Sequence, residues 1–129
     1  ELLELAGLRD KADILAKNLA LGDLRKLELA RALAHEPDLL LLDEPTGGLV
    51  PQETDEMKRL LERVIASGKT LILIEHKMDM VMELCDHVVV LNFGKKICEG
   101  PPGVVQANPE VIEAYMGMET DEFADGPGA

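Results

Sequence analysis

With 129 residues, 47% of them hydrophobic, the chain has enough apolar content for one globular core, which argues against disorder throughout. Its formal charge of −12 argues against general affinity for nucleic-acid phosphates or anionic lipid, so no nucleic-acid partner is expected. No apolar run reaches the roughly 18 residues that cross a bilayer, and Cys85 and Cys98 lack metal-ligand spacing and fit a reducing compartment.

The opening ELLELAG reads as the end of a helix with Gly7 at its C-cap, so the sequence is expected to begin inside a domain. From Gly22 to Pro37 the stretch GDLRKLELARALAHEP is rich in helix formers, with Asp23 in the first turn and Leu29, Ala30, Leu33 and Ala34 at helical spacing. Pro37 is expected to end that helix. DLLLLD, from Asp38 to Asp43, is continuously apolar rather than alternating and reads as a strand buried on both faces. Pro51 then opens a helix that places Met57, Leu60, Leu61, Val64 and Ile65 on one side, and Gly68 closes it.

TLILIEH, from Thr70 to His76, is a second apolar strand, and the following KMDMVMELC puts Met78, Val81, Met82 and Cys85 on one helical face. Strand, helix, strand, helix implies an α/β fold with parallel strands, in which ligands gather at the strands' carboxyl ends. HVVVLNFGKKICEG reads as a β-hairpin turning at Asn92 to Gly94, on the margin of that sheet. A last helix is expected from Asn108 as cap and Pro109 as first residue to Gly117, and the acidic residues 118–129 read as a mobile tail. The six methionines read as core filling.

Asp43 and Glu44 fall at the carboxyl end of the first strand and His76 at that of the second, so all three are expected to face one crevice. One carboxylate there can hold Mg²⁺ through water, a second can take a proton from an attacking water, and an imidazole can touch a phosphate oxygen. Taken singly, each residue reads more readily as a solvated loop acid or a helix-capping histidine than as a catalytic group.

In combination these stretches carry a resemblance. LLLLDEPTGGLVP resembles the Walker B strand and D-loop of ABC transporter ATP-binding subunits, LALGDLRKLELARAL resembles their signature motif and helix, and His76 in LILIEH matches their switch histidine. The stretch from Ile74 to Gly117 is similar to the subfamily importing branched-chain amino acids. The resemblance covers residues 1–117 and implies part of a P-loop NTPase domain, with ATP and Mg²⁺ as its ligands. It implies that Asp43 holds Mg²⁺ through water, Glu44 is the general base, and His76 contacts the γ-phosphate. Ala20, Leu21, Gly22 and Asp23 would cover ATP held by a second ATP-binding subunit, and Leu49 and Val50 would lie in the D-loop at that interface. Membrane-embedded permease subunits and a cytoplasmic position on the inner face of the membrane complete the implied setting.

Three departures stand out. Ala20 replaces the usual serine and has no hydroxyl to cap the helix or bond a phosphate. Asp23 replaces a neutral or longer polar residue and is expected to repel nucleotide, and Val50 replaces a polar residue after the D-loop leucine. Glu44 and His76 serve this subunit's own ATP, whereas Ala20 and Asp23 would serve the partner's, so the expectation is a heterodimer with one weakened site.

No G-x-x-x-x-G-K-[ST] occurs, and SGKT at Ser67 to Thr70 fails because residue 63 is Arg and a strand follows. These 129 residues alone are therefore expected to bind and turn over little ATP, and to self-associate through uncovered sheet. The alternatives are a non-catalytic interaction module, or an ATPase of the lipopolysaccharide-export type, whose terminal pattern is close.

Overall fold

The computed structural model describes residues 1–115. The chain divides into two compact units, Glu1–His76 and the segment from Lys77 onward.

The first unit opens with helix α1, Leu2–Leu5. Gly7 takes φ +71°, and two bonds close the end: Leu8 N–H to Leu3 O at 2.7 Å and Gly7 N–H to Glu4 O at 3.1 Å. That pairing is a Schellman cap, which only a residue free of Cβ strain forms cheaply, so Gly7 stands where the sequence places it. Two 3-10 turns, Arg9–Lys11 and Ala16–Asn18, lead to helix α2, Leu21–Leu33, which buries Gly22, Leu29, Ala30 and Leu33. Helix α2 stops before Pro37, and Ala34 is its exposed C-cap. Proline disfavours the α-conformation in the residue before it, and Glu36 takes φ +51° after a tightened turn from Glu36 N–H to Leu33 O, 3.0 Å.

Strand β1, Leu39–Asp43, pairs in parallel with β2, Thr70–Ile74, and helix α3, Pro51–Ala66, connects them. Helix α3 buries Met57, Leu60, Leu61 and Val64, each contributing roughly 1.5–3 kcal/mol on leaving water. Gly68, φ +96°, ends it, and Arg63 Nη2 donates to Leu5 O at 2.9 Å, satisfying a carbonyl at the end of α1. The expectation of strands buried on both faces is met on one side only. Leu40 is 4% exposed, with Leu42, Leu71 and Leu73 half-buried beside it, but Leu41 is 70% exposed on a face shared with Leu39, Ile72 and Ile74. Parallel strands are written for two covers, and the described residues supply one.

In the second unit, helix α4, Met78–Leu84, precedes the antiparallel pair β3, Val88–Asn92, and β4, Lys95–Gly100. Phe93 at φ +48° and Gly94 at φ +76° make the two-residue turn whose twist matches the strands. This hairpin is a two-stranded sheet of its own among the described residues, not a margin of β1–β2, because its edges carry no ladder to either strand. Helix α5, Pro102–Gln106, and a helix from 109 that is still helical at 115 supply Val105 and Val111, which pack with Val88. Met78, Val81, Met82 and Cys85 pack partly buried against that cluster, the face that α4's spacing indicates. Burial raises the Cys85 thiol above its ordinary range, with Asp86 adding to the effect, so it is held as an inert thiol. Asn108 Oδ1 accepts the N–H of Glu110 at 2.8 Å, the cap expected of it. The end of this helix near 117 and the acidic segment 118–129 lie outside the described residues. No helix among the described residues is long and apolar enough to cross a membrane.

Candidate functional site

The carboxyl ends of β1 and β2 lie side by side because the register pairs Asp43 with Ile74. One residue on, Glu44 N–H still donates to Ile74 O at 2.8 Å, so the ladder runs into the first residue of the turn. Glu44 takes φ +46°, a left-handed conformation uncommon outside glycine and a form of strain that concentrates at functional positions. Its carbonyl accepts the N–H of Gly47 at 3.0 Å, and a Cβ on Gly47 would sit 3.3 Å from that oxygen, so glycine keeps the turn tight.

His76 follows β2 by two residues, and its Nδ1 lies 3.5 Å from Glu44 Oε1. Both side chains are about half exposed, and Asp43 is exposed beside them. Among the described residues no group of three or more His, Cys, Asp or Glu could enclose a metal. One carboxylate that leaves most positions to water and phosphate oxygens suits Mg²⁺, and Asp43 has that donor chemistry and exposure.

Leu49 is buried beneath the same turn, with its N–H on Thr46 O at 3.1 Å, whereas Val50 is exposed and stands at the N-cap of α3. Valine has no acceptor, so only half of a capping box forms: Glu53 Oε2 accepts Val50 N–H at 3.1 Å. Ala20 is the N-cap of α2 and likewise makes no side-chain cap. The start of α2 packs directly on this region. A Cβ on Gly22 would fall 2.9 Å from Glu53 Oε1, and one on Gly48, φ +76°, would fall 3.0 Å from Leu21 Cδ2. Gly22 therefore has a packing duty that its motif spacing does not reveal: it admits the carboxylate that caps α3.

Asp23 has partners that its motif position does not reveal. Its carboxylate is largely buried and pairs with Lys11, and Lys26 lies 3.6 Å away and in turn bonds Glu56 at 2.8 Å. The hydrogen bond from Lys11, against a smaller opposing effect of burial, holds the Asp23 carboxyl below the ordinary range. Its charge is thus met within the chain, and the bare repulsion expected of it is reduced. Lys11, Lys26, Glu53 and Glu56 carry no motif signature, and the spacing that unites them is set by tertiary packing. Thr46 and Glu75, both beneath the turn, also escape motif reading, although Glu75 continues the inward register of Leu71 and Leu73.

Residues 1–47 match the family described as ABC transporter, and residues 95–117 match the branched-chain amino acid ATP-binding cassette transporter family. The high-affinity branched-chain amino acid transport ATP-binding protein BraF of Pseudomonas aeruginosa is 43% identical over 116 residues, 89% of this chain and 46% of that protein. Nod factor export ATP-binding protein I of Cupriavidus metallidurans is 39% identical over 128 residues, covering 97% of this chain and 42% of that protein. Among solved structures, an ATP-binding cassette of an ABC transporter in its ADP conformation superposes with a TM-score of 0.80 at 32% identity, over 90% of this chain and 47% of that one. This chain spans about half the length of the relatives it matches. The chain belongs to the ABC transporter ATP-binding family and corresponds to part of its ATP-binding domain.

Proposed function

We propose that this chain is the part of a transporter's ATP-binding subunit that performs the hydrolytic step. The observation that carries the reading is the pairing of Glu44 with His76, 3.5 Å apart at the carboxyl ends of two parallel strands. Glu44 accepts a proton from the water that attacks the γ-phosphorus, and His76 contacts a γ-phosphate oxygen and orients that water. Asp43 would hold the Mg²⁺, which would supply neutralisation of charge on the phosphates.

Nothing in the sequence supplies a glycine-rich loop with its lysine, so the triphosphate is gripped by residues outside this chain, and the 129 residues alone do not turn over ATP. Ala20, Leu21, Gly22 and Asp23 face the ATP of a second ATP-binding subunit, with Leu49 and Val50 beside that interface. Missing the Ala20 hydroxyl weakens the partner's site more than this subunit's own, the arrangement of an asymmetric pair.

The branched-chain match at residues 95–117 and the 43% identity to BraF support amino-acid uptake as the work driven, with this subunit on the inner face of the membrane against two membrane-embedded permease subunits. A Clostridium perfringens relative of 35% identity and TM-score 0.75, matched over 87% of this chain and 45% of its own, is part of a transporter complex, cbiONQ, which supports such an assembly. Phosphate release by the complete subunit, with its partner, tests the reading. Turnover that depends on Glu44 supports it, and turnover that survives Glu44→Gln overturns it.

A further inference from the structure

We propose that Glu75 is a positioning residue that sets the distance between Glu44 and His76; this deepens the hydrolytic reading above and rests on it. Strand alternation turns residues 71, 73 and 75 inward and 72, 74 and 76 outward, so Glu75 enters the interior immediately before His76 emerges from it. Its side chain is 0% exposed. Oε2 accepts the hydroxyl of Thr46, itself fully buried, at 2.6 Å, and Oε1 accepts the backbone N–H of His76 at 3.1 Å. The same Oε1 lies 3.6 Å from His76 Nδ1.

Each of these contacts sits on one side of the catalytic pair. Thr46 belongs to the turn that carries Glu44: its carbonyl accepts Leu49 N–H at 3.1 Å, one residue before the Gly47 that closes on Glu44 O. A single carboxylate therefore ties the turn bearing the general base to the backbone of the histidine. Burying a carboxylate is costly even when hydrogen-bonded, and an apolar residue would hold the strand more cheaply. What the carboxylate adds is direction. Glu44 Oε1, at 3.5 Å, and Glu75 Oε1, at 3.6 Å, both lie beside Nδ1 of His76, so the Nδ1 edge of the ring is oriented toward the two carboxylates. Loosening the tie lets Glu44, already in a left-handed conformation, shift against His76, and small displacements of this kind cost large factors in rate.

The test uses the complete subunit with its partner and three variants. Thr46→Val removes the hydroxyl at constant shape, Glu75→Gln removes the charge and replaces one of the two accepting oxygens with an NH2 donor, and Thr46→Ser keeps the hydroxyl. Expected are kcat losses of roughly 10- to 100-fold for Thr46→Val and Glu75→Gln with KM for ATP little changed, and recovery of most of the rate in Thr46→Ser. Ring ¹⁵N resonances of His76 are expected to move in the first two variants and to stay in the third. Unmoved His76 resonances in folded Glu75→Gln and Thr46→Val overturn the proposal, as does a loss confined to KM. A wild-type subunit that hydrolyses no ATP overturns the functional reading instead, and the His76 resonances still decide whether Glu75 holds that ring.

Discussion

The chain's two strand pairs meet solvent differently. On the open face of β1–β2, Leu39 stands beside Thr70, Leu41 beside Ile72, and Asp43 beside Ile74. On the open face of the hairpin, Val89 stands opposite Glu99 and Leu91 opposite Lys96, so each exposed apolar residue has a charged neighbour. The hairpin is finished for water, and the parallel pair is finished for a second apolar layer. Chemistry follows the same division: the parallel ladder ends in Asp43, Glu44 and His76, whereas the hairpin ends in a turn at Phe93 and Gly94.

The largest expected effect breaks this comparison at its chemical end. In the complete subunit Glu44→Gln is expected to lower kcat by roughly 10²- to 10⁴-fold, the scale of a lost general base, with ATP binding retained. Glu99→Gln in the hairpin is expected to leave turnover at the wild-type level. Parallel assays of phosphate release and nucleotide binding decide it, and equal losses in both variants would erase the distinction between the two ladders.

Next in size are the two interiors. Leu60→Ala, on the buried face of α3, is expected to destabilise by about 2–5 kcal/mol, and Val105→Ala, in the hairpin's cluster, by roughly 2 kcal/mol, in proportion to the atoms removed. Denaturant titrations of the complete subunit would read both midpoints. A third prediction concerns the open face itself. Residues 1–129 alone are expected to self-associate in sedimentation velocity, Leu41→Ser to lower the apparent mass, and Val89→Ser to leave it unchanged. A monomeric wild-type chain would show that the apolar face of β1–β2 tolerates water.

Local signals were legible wherever backbone chemistry is local. Gly7, Gly68 and Gly94 take positive φ where turn and cap rules place them, Asn108 caps its helix, and α3 buries four of the five residues its spacing indicates, with Ile65 only half-buried at the helix's end. The adjacency of Glu44 and His76 followed from parallel register, which puts successive strand ends together. Three things were not legible. The length of α2 was overstated, because Pro37 constrains the residue before it and the turn at His35 and Glu36 takes up the difference. The one-sided cover of β1–β2 was misread, because a continuous apolar run reports what a strand needs and not what its chain provides. Asp23 looked like a liability because its partners Lys11, Lys26 and Glu56 are distant in sequence and meet it only through packing.

Asp23 also supplies the smallest prediction, a pH dependence set against the hairpin's ion pair. The hydrogen bond from Lys11 holds the Asp23 carboxyl below its ordinary value, so the folded state favours the charged form. Its stabilisation is full above the unfolded value of about 3.9 and is lost as pH falls through the lower folded value. Asp23→Asn is therefore expected to lower Tm by on the order of a few degrees near neutrality, with the gap closing below about pH 4. Glu99 is also held below its ordinary range, by Lys96 first and then His87, but that ion pair lies on the exposed surface of the hairpin. Glu99→Gln is accordingly expected to leave Tm unchanged across the same range, because screening and side-chain entropy consume what an exposed pair gains. Melting both variants from pH 3 to 7 compares the two pairs directly. A gap for Asp23→Asn that persisted in acid would mean the residue holds α2 by shape rather than by charge.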